Sequence, residues 1–378
     1  MVKIGIFTFA KAWGGVEKLV LWLIKSLKDE FDFSIITPTS EKECVIKESK
    51  ISRYKEGDLI SLSDLLRKEN FDLIYVPRSL DKTQIEFIKA LKHSGVNTKI
   101  ISGIHVPLNV FKIDSAKRMN PELIFSAVDS LHLITDNKYN IQHIPEEYRN
   151  KIDIIENPVM SKKITFDKDN FTLRFLSAGR LSFEKNFNLL VQLAYEFKIN
   201  SKEIPITIYG DGPEKNKLIR LSKIFGVQDY IIFKNHSDSW VENIRYGDVF
   251  VCCSYYEGYG MALAEAVSTG IPGVAFDFTQ GPRDIIKKSN GILIQGQPSI
   301  EKLYECACCL SRKEYYDSLF ESNGREINNN VIIGKWRNLF YKLCNKRKSN
   351  VNMIPKKDWG LSEEDVKINA IKVLKTID

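Results

Sequence analysis

The 378-residue sequence contains no run of about 18 apolar residues, so no membrane-spanning helix is expected. The dinucleotide fingerprint G-x-G-x-x-G and the Gly-Lys-Ser/Thr phosphate loop are both missing, which excludes the two commonest glycine-rich nucleotide motifs. There are seven cysteines, an odd number, and no paired C-x-x-C or histidine cluster completes a zinc site. Cys44, Cys252, Cys253, Cys306, Cys308, Cys309 and Cys344 are therefore expected to be reduced thiols in a cytosolic protein. The N-terminus turns polar too soon for a signal peptide and is expected to open the fold as a strand. No aromatic-basic module of the RRM or OB kind appears, so nucleic acid is not an expected partner, although a formal net charge of +7 favours anionic ones.

What is present is an alternation. Hydrophobic residues at 43% and charged residues at 27% describe a globular chain, and its length suits two domains. Strands are expected at Lys3–Phe9, Phe33–Thr37, Leu73–Val76, Lys99–Ile104, Ser130–Thr135 and Ile152–Ile155, with helical spacing between several of them. A polar stretch, Ser161 to Asn170, marks the boundary. The alternation then restarts with strands at Phe175–Ala178, Ile206–Tyr209, Tyr230–Phe233, Val249–Cys253, Gly273–Phe276 and Asn290–Ile294. This predicts an α/β fold, two Rossmann-like parallel-sheet domains over 1–165 and 166–345. Residues 346–378 are expected to form a basic linker and a helix packing back on the first domain.

Four groups of residues fall at the C-terminal ends of strands in the second half, the edge where open α/β sheets bind ligands. Arg180 and Lys185 bracket one loop. Their spacing suits a diphosphate, and an exposed basic loop would look the same. Gly210-Asp211-Gly212-Pro213-Glu214 follows a second strand, and Gly281-Pro282-Arg283 a third. Between them, Glu257-Gly258-Tyr259-Gly260-Met261 leads from a strand into a helix carrying Glu265. A glycine loop at a helix start can hold an anion closely, while its carboxylates suit the hydroxyls of a sugar or ribose. In the first half, Gly14-Gly15 opens a helix after the first strand, as a tight turn or a close approach to ligand.

Taken together, these pieces resemble the retaining family 4 glycosyltransferases of the GT-B fold. The resemblance rests on Gly-Gly-Val-Glu (14–17), Asn157-Pro158-Val159, Gly-Arg-Leu-Ser-Phe-Glu-Lys-Asn (179–186), Tyr-Gly-Asp-Gly-Pro-Glu (209–214), and Glu257 to Ala266 with its two glutamates spaced as E-x7-E. It covers about 170–295 strongly and the first half more loosely. It implies two domains facing a cleft, with the nucleotide sugar on the second and the acceptor on the first. By the same motifs, Arg180 and Lys185 would hold the diphosphate and Glu265 the ribose. Glu257 and the amides of Gly258, Tyr259, Gly260 and Met261 would hold the sugar, with Gly14, Gly15 and Gly210 close to the donor. His105, matching a family histidine, would lie against the donor sugar, and the other histidines are taken as structural. No cofactor or metal is implied. Asn157-Pro158 and Asn186 depart from the commoner Asn-Gly and Gly.

The loop Phe278 to Ile286 resembles a version associated with bacterial cell-surface polysaccharide enzymes, which points to a UDP-hexose or UDP-N-acetylhexosamine donor. The expected acceptor is a glycan or lipid-linked glycan, as in lipopolysaccharide or capsule synthesis. The apolar-basic segment from Leu108 to Met119 reads equally as an anionic-membrane contact and as an ordinary surface segment. The expected location is the cytoplasm, with peripheral attachment to the inner membrane face as a further expectation. The alternative is a non-transferring relative that binds sugar nucleotide as a partner subunit. A sugar-nucleotide epimerase would carry a different motif set.

Overall fold

The structure is a computed structural model and describes residues 1–8, 14–40, 44, 46–77, 82–105, 122–135, 141–159, 164–237, 239–277, 280–286, 291–321 and 328–345. The expected membrane-contact segment, the final basic residues from Lys346 onward and the C-terminal helix lie outside them.

In chain order the first domain contains β1 (Val2–Phe7), α1 (Gly15–Leu27), β2 (Phe31–Pro38), β3 (Lys50–Tyr54), α2 (Leu59–Glu69), β4 (Leu73–Val76), α3 (Lys82–Ser94), β5 (Lys99–Ile104), α4 (Glu122–Ala127), β6 (Ser130–Leu133) and β7 (Ile152–Ile154). The strands form one parallel sheet in the order β3-β2-β1-β4-β5-β6-β7. Central strands such as β4 are buried along their whole length, as helix-covered parallel strands must be. The sequence pattern did not predict β3. It is an edge strand, with Lys50 exposed and only Ser52 and Tyr54 buried, and charged edges of this kind resist further strand addition.

The second domain has β8 (Arg174–Ala178), α5 (Asn188–Ile199), β9 (Ile206–Tyr209), α6 (Lys215–Ile224), β10 (Ile231–Lys234), β11 (Asp248–Cys252), α7 (Met261–Thr269), β12 (Gly273–Asp277), α8 (Gln280–Ile285), β13 (Gly291–Gln295), α9 (Ile300–Leu310) and α10 (Lys313–Glu321). Its parallel sheet runs β10-β9-β8-β11-β12-β13. Both sheets therefore reverse direction of growth once, between β1 and β4 and between β8 and β11. At such a switch point adjacent crossovers diverge to opposite faces and leave a crevice beyond the strand ends.

The last described helix, α11 (Asn329–Asn345), corrects the expected division at 345. It packs Ile332, Trp336, Leu339, Phe340 and Leu343 into the first domain's core. Trp336 is fully buried, 5.0 Å from the Tyr75 ring and 4.5 Å from the His132 ring between centroids. Asn329 fastens the helix start to the junction, accepting from Val159 N and donating to Val159 O. Arg337 reaches Glu30 with both Nε and an Nη, and Lys335 and Lys342 pair with Glu156 and Asp153. Those exposed pairs are worth about 0–1 kcal/mol each, whereas burying one large apolar side chain contributes about 1.5–3 kcal/mol. Apolar burial therefore sets where α11 docks. Among the described residues no helix is long and apolar enough to cross a membrane.

Candidate active site between the two switch points

The loops after β8 and β11 meet at the second domain's switch point. Lys185 Nζ lies 2.5 Å from Glu257 Oε1, and the Ser254 hydroxyl donates to the same oxygen at 2.8 Å. A backbone bond from Tyr255 N to Glu184 O ties the two loops together. Burial works against the Lys185 charge, but Glu257 outweighs it, and the ammonium is held above the ordinary lysine value. Lys185 is thus a fixed cation at the crevice, coupled to a carboxylate that the sequence had placed in a separate role. Arg180 lies exposed; its carbonyl oxygen accepts from Ser182 N and Oγ, and its guanidinium makes no hydrogen bond or ion pair among the described residues.

Two glycines shape this wall. A Cβ on Gly210 would stand 2.0 Å from the Gly179 carbonyl oxygen, and one on Gly212 would stand 2.5 Å from that of Leu181. The loops carrying Gly179-Arg180 and Gly210-Asp211-Gly212 are laced by Leu181 N to Asp211 O and Glu214 N to Leu181 O. Gly210 therefore brings the Arg180 loop close, in addition to any ligand contact expected of it.

Helix α7 begins at Gly260, whose φ of 96° lies in the left-handed region that only glycine adopts without strain. Ala264 N is the first amide bonded within the helix, so those of Met261 to Leu263 form its open N-terminus. Tyr259 has its ring buried in the apolar cluster behind the loop, and Gly281 packs closely against its backbone. Glu265 sits one turn in, 6% exposed. Its Oε1 accepts from Lys18 of α1 at 2.9 Å and its Oε2 from Trp240 Nε1 at 3.2 Å. Arg283 pairs with Asp277 at 2.6 Å.

The first domain's switch point faces this surface. Lys18 crosses the cleft to Glu265, Gly15 approaches the Met261 side chain, and Gly14 precedes α1 in an extended conformation. His105 follows β5, and its carbonyl oxygen would lie 1.7 Å from a Cβ on Gly258. Its imidazole belongs to a chain the sequence did not reveal. His132, expected to be merely structural, bonds the Ile155 carbonyl through Nε2 at 2.8 Å and the Tyr75 hydroxyl through Nδ1 at 3.0 Å. The same hydroxyl meets His105 Nε2 at 3.1 Å. Burial, followed by the neighbouring His132, lowers His105 to about 3, and burial lowers His132 to about 4 despite the Ile155 carbonyl and the carboxylates of Asp153 and Glu156. Both rings are neutral near pH 7.

The arrangement therefore combines three cations (Lys18, Arg180 and Lys185) and an open helix N-terminus with two carboxylates and an uncharged imidazole. It can hold a polyanion next to a group rich in hydroxyls. Lys18, Ser254, Trp240, Tyr75 and His132 were not anticipated as parts of it. Lys18 falls one turn after the glycine pair, the one sequence signal that could have marked it. Among the described residues, no cluster of three or more His, Cys, Asp or Glu could hold a metal ion.

Residues 160–307 match the family described as glycosyl transferases group 1. The GtfA subunit of a UDP-N-acetylglucosamine–peptide N-acetylglucosaminyltransferase from Streptococcus gordonii is 36% identical over 121 residues, which cover 32% of this chain. The chain spans only 24% of that relative's length in the match. Among solved structures, the lipopolysaccharide outer core galactosyltransferase WaaB superposes with a TM-score of 0.69 at 20% identity, covering 90% of this chain and 99% of WaaB. HepE of Anabaena, in complex with UDP and glucose, gives 0.73 at 15% identity over 90% of this chain and 100% of HepE. At these identities the superpositions establish the GT-B fold.

Proposed function

We propose, from the match of residues 160–307 to the family described as glycosyl transferases group 1, that the protein moves a hexose or N-acetylhexosamine from a UDP-sugar onto a glycan or lipid-linked acceptor, with retention of anomeric configuration. The observation that supports this reading is the Lys185–Glu257 pair beside the N-terminus of α7 at the β8/β11 switch point, on the loop that also carries Arg180, with Glu265 one turn behind.

In this reading the diphosphate lies between Arg180, Lys185 and the α7 amides. These groups stabilise the charge that grows on the leaving UDP as the glycosidic bond breaks. A lysine held in its charged form by Glu257 is suited to that role. Glu265 accepts from the ribose hydroxyls. Glu257 and the backbone of Gly258 to Met261 face the transferred sugar, and His105 faces it from the first domain. Retention follows from front-face attack, with the leaving phosphate taking the acceptor proton, so Glu257 is a binding group and not a nucleophile. Charge neutralisation is assigned to protein cations, and a divalent ion is not required. The UDP-sugar assignment is supported by HepE, which holds UDP and glucose on the same fold, and by the N-acetylglucosaminyltransferase relative. WaaB, named for the lipopolysaccharide outer core, supports a surface-glycan acceptor.

The test is a thermal-shift series with nucleoside diphosphates, followed by transfer assays with the UDP-sugars that stabilise the protein. A ligand bound only by the folded state at 100 times its Kd adds about 2.7 kcal/mol of stability. UDP should raise the melting temperature, and Arg180→Ala with Lys185→Ala should abolish both that rise and turnover. Near-normal turnover in the double variant would refute the diphosphate role.

A further inference from the structure

The protons in the His132–Tyr75–His105 chain can be assigned from its fixed end. The Ile155 carbonyl oxygen only accepts, so His132 Nε2, 2.8 Å away, carries the hydrogen. A neutral imidazole has one N–H, so His132 Nδ1 is a lone pair and accepts the Tyr75 hydroxyl hydrogen across 3.0 Å. With its hydrogen spent, the Tyr75 oxygen can only accept at its other contact. His105 Nε2, 3.1 Å away, must donate to it. His105 is then left with its lone pair on Nδ1, which has no hydrogen-bond partner among the described residues.

The surroundings hold this order in place. Tyr75, Gly103 and His132 lie on three adjacent strands, with Gly103 opposite His132 in the sheet. A Cβ on Gly103 would come within 2.7 Å of His105 Nε2, so the glycine leaves the space in which the ring turns back toward Tyr75. Tyr75 and His132 are fully buried, and Trp336 closes over both rings. The charged groups acting on the chain are Asp153 and Glu156 on the His132 side, while Gly258, next to Glu257, meets the His105 carbonyl.

We propose that Tyr75 and His132 are positioning residues that lock His105 in its Nε2–H tautomer, so that it presents Nδ1 as an acceptor for a hydroxyl of the donor sugar. The sugar contact rests on the transfer function proposed above. The tautomer does not.

The test is two-bond 15N–1H correlation spectroscopy on the 15N-histidine-labelled protein at pH 7. With five histidines in the chain, His105→Gln and His132→Gln identify the two signals by their loss. Both rings should show protonated Nε2 and bare Nδ1. An Nδ1–H form of His105, or an average of the two tautomers, would overturn the proposal. Tyr75→Phe should convert the His105 signal to a tautomer mixture, and an unchanged His105 signal would mean that Tyr75 is not the lock. In activity, Tyr75→Phe should lower kcat/KM for the donor by about 3- to 10-fold, the value of one net hydrogen bond. It should add no further loss in a His105→Ala background, whereas independent losses would show that Tyr75 acts through packing alone. If no UDP-sugar is transferred by the wild-type protein, the transfer function fails, and the spectra still decide the tautomer lock.

Discussion

Two imidazoles that must stay neutral make the first domain sensitive to acid in a defined window. Their folded values, about 3 for His105 and about 4 for His132, lie below the 6.5 of an exposed histidine. Between pH 6.5 and 4 the unfolded chain therefore binds protons that the native state refuses, and stability must fall as pH falls. For His132 at pH 5, the unfolded ring is about 97% protonated and the native ring about 10%, which integrates from pH 7 to about 2 kcal/mol of lost stability. His105 adds a similar amount, so the pair sets an upper bound of about 4 kcal/mol. Glu69, lowered to about 2, has a carboxylate window that opens below the histidine one, because its stabilisation is lost as pH falls from 4.5 towards 2. The assay is denaturant unfolding at half-unit steps from pH 7 to 5, with proton uptake on unfolding measured at pH 5. Comparison with His132→Gln isolates one ring, since glutamine can still donate to Ile155 O and accept from Tyr75. The variant should take up about one proton fewer and lose about half as much stability on acidification. Equal proton uptake in both proteins would show that His132 is not held neutral, and the linked assignment of protons along Tyr75 would fall with it.

Gly258→Ala forces a Cβ into the His105 carbonyl, 1.7 Å away, so the loop and the first domain must separate. Turnover should fall at least about tenfold while UDP affinity stays within a few-fold, because displacements near 1 Å are enough to disrupt reacting geometry; unchanged kcat would count against a shared site. Arg174 and Asp248 form a two-point pair at 2.7 and 2.6 Å with Asp248 fully buried, and Arg174→Ala should cost about 3–5 kcal/mol in chemical denaturation. Arg337→Ala, which breaks only an exposed pair, should cost under about 1 kcal/mol, and a reversed order would contradict burial as the deciding factor.

The features legible in the chain are those whose physics is local. Buried runs such as Val249 to Cys253 announce a central strand, and glycines with charges at strand ends announce a ligand edge. Lys185 and Glu257 could be expected at one edge because they follow strands of one repeating strand–loop–helix pattern, and they do meet there. β3 escaped because an edge strand that must reject partners carries charge where a core strand carries valine. Helix α11 shows its amphipathic period in the sequence, but periodicity does not say which domain supplies the matching surface. Only the packing of Trp336 on Tyr75 and His132 decides that.

The least legible features are also those that join the domains. Lys18 and Glu265 are 247 residues apart, and neither has a sequence context that names the other. Tyr75 and His132 lie on β4 and β6, His105 follows β5 between them, and their relation appears only in the sheet order. These cross-strand and cross-cleft contacts give the first domain a chemical role at a site whose charged groups lie mostly on the second. In the transfer reaction proposed above, the second domain presents the fixed charge of Lys185 and the α7 N-terminus to the phosphates. The first contributes a neutral, oriented acceptor through His105 and a cation through Lys18. α11 leaves the second domain and seals the far side of the histidine chain with Trp336, so the segment that fastens the domains together also keeps His132 dry. Loosening α11 should therefore both weaken domain attachment and let His132 take up a proton near pH 6, two effects with one structural cause.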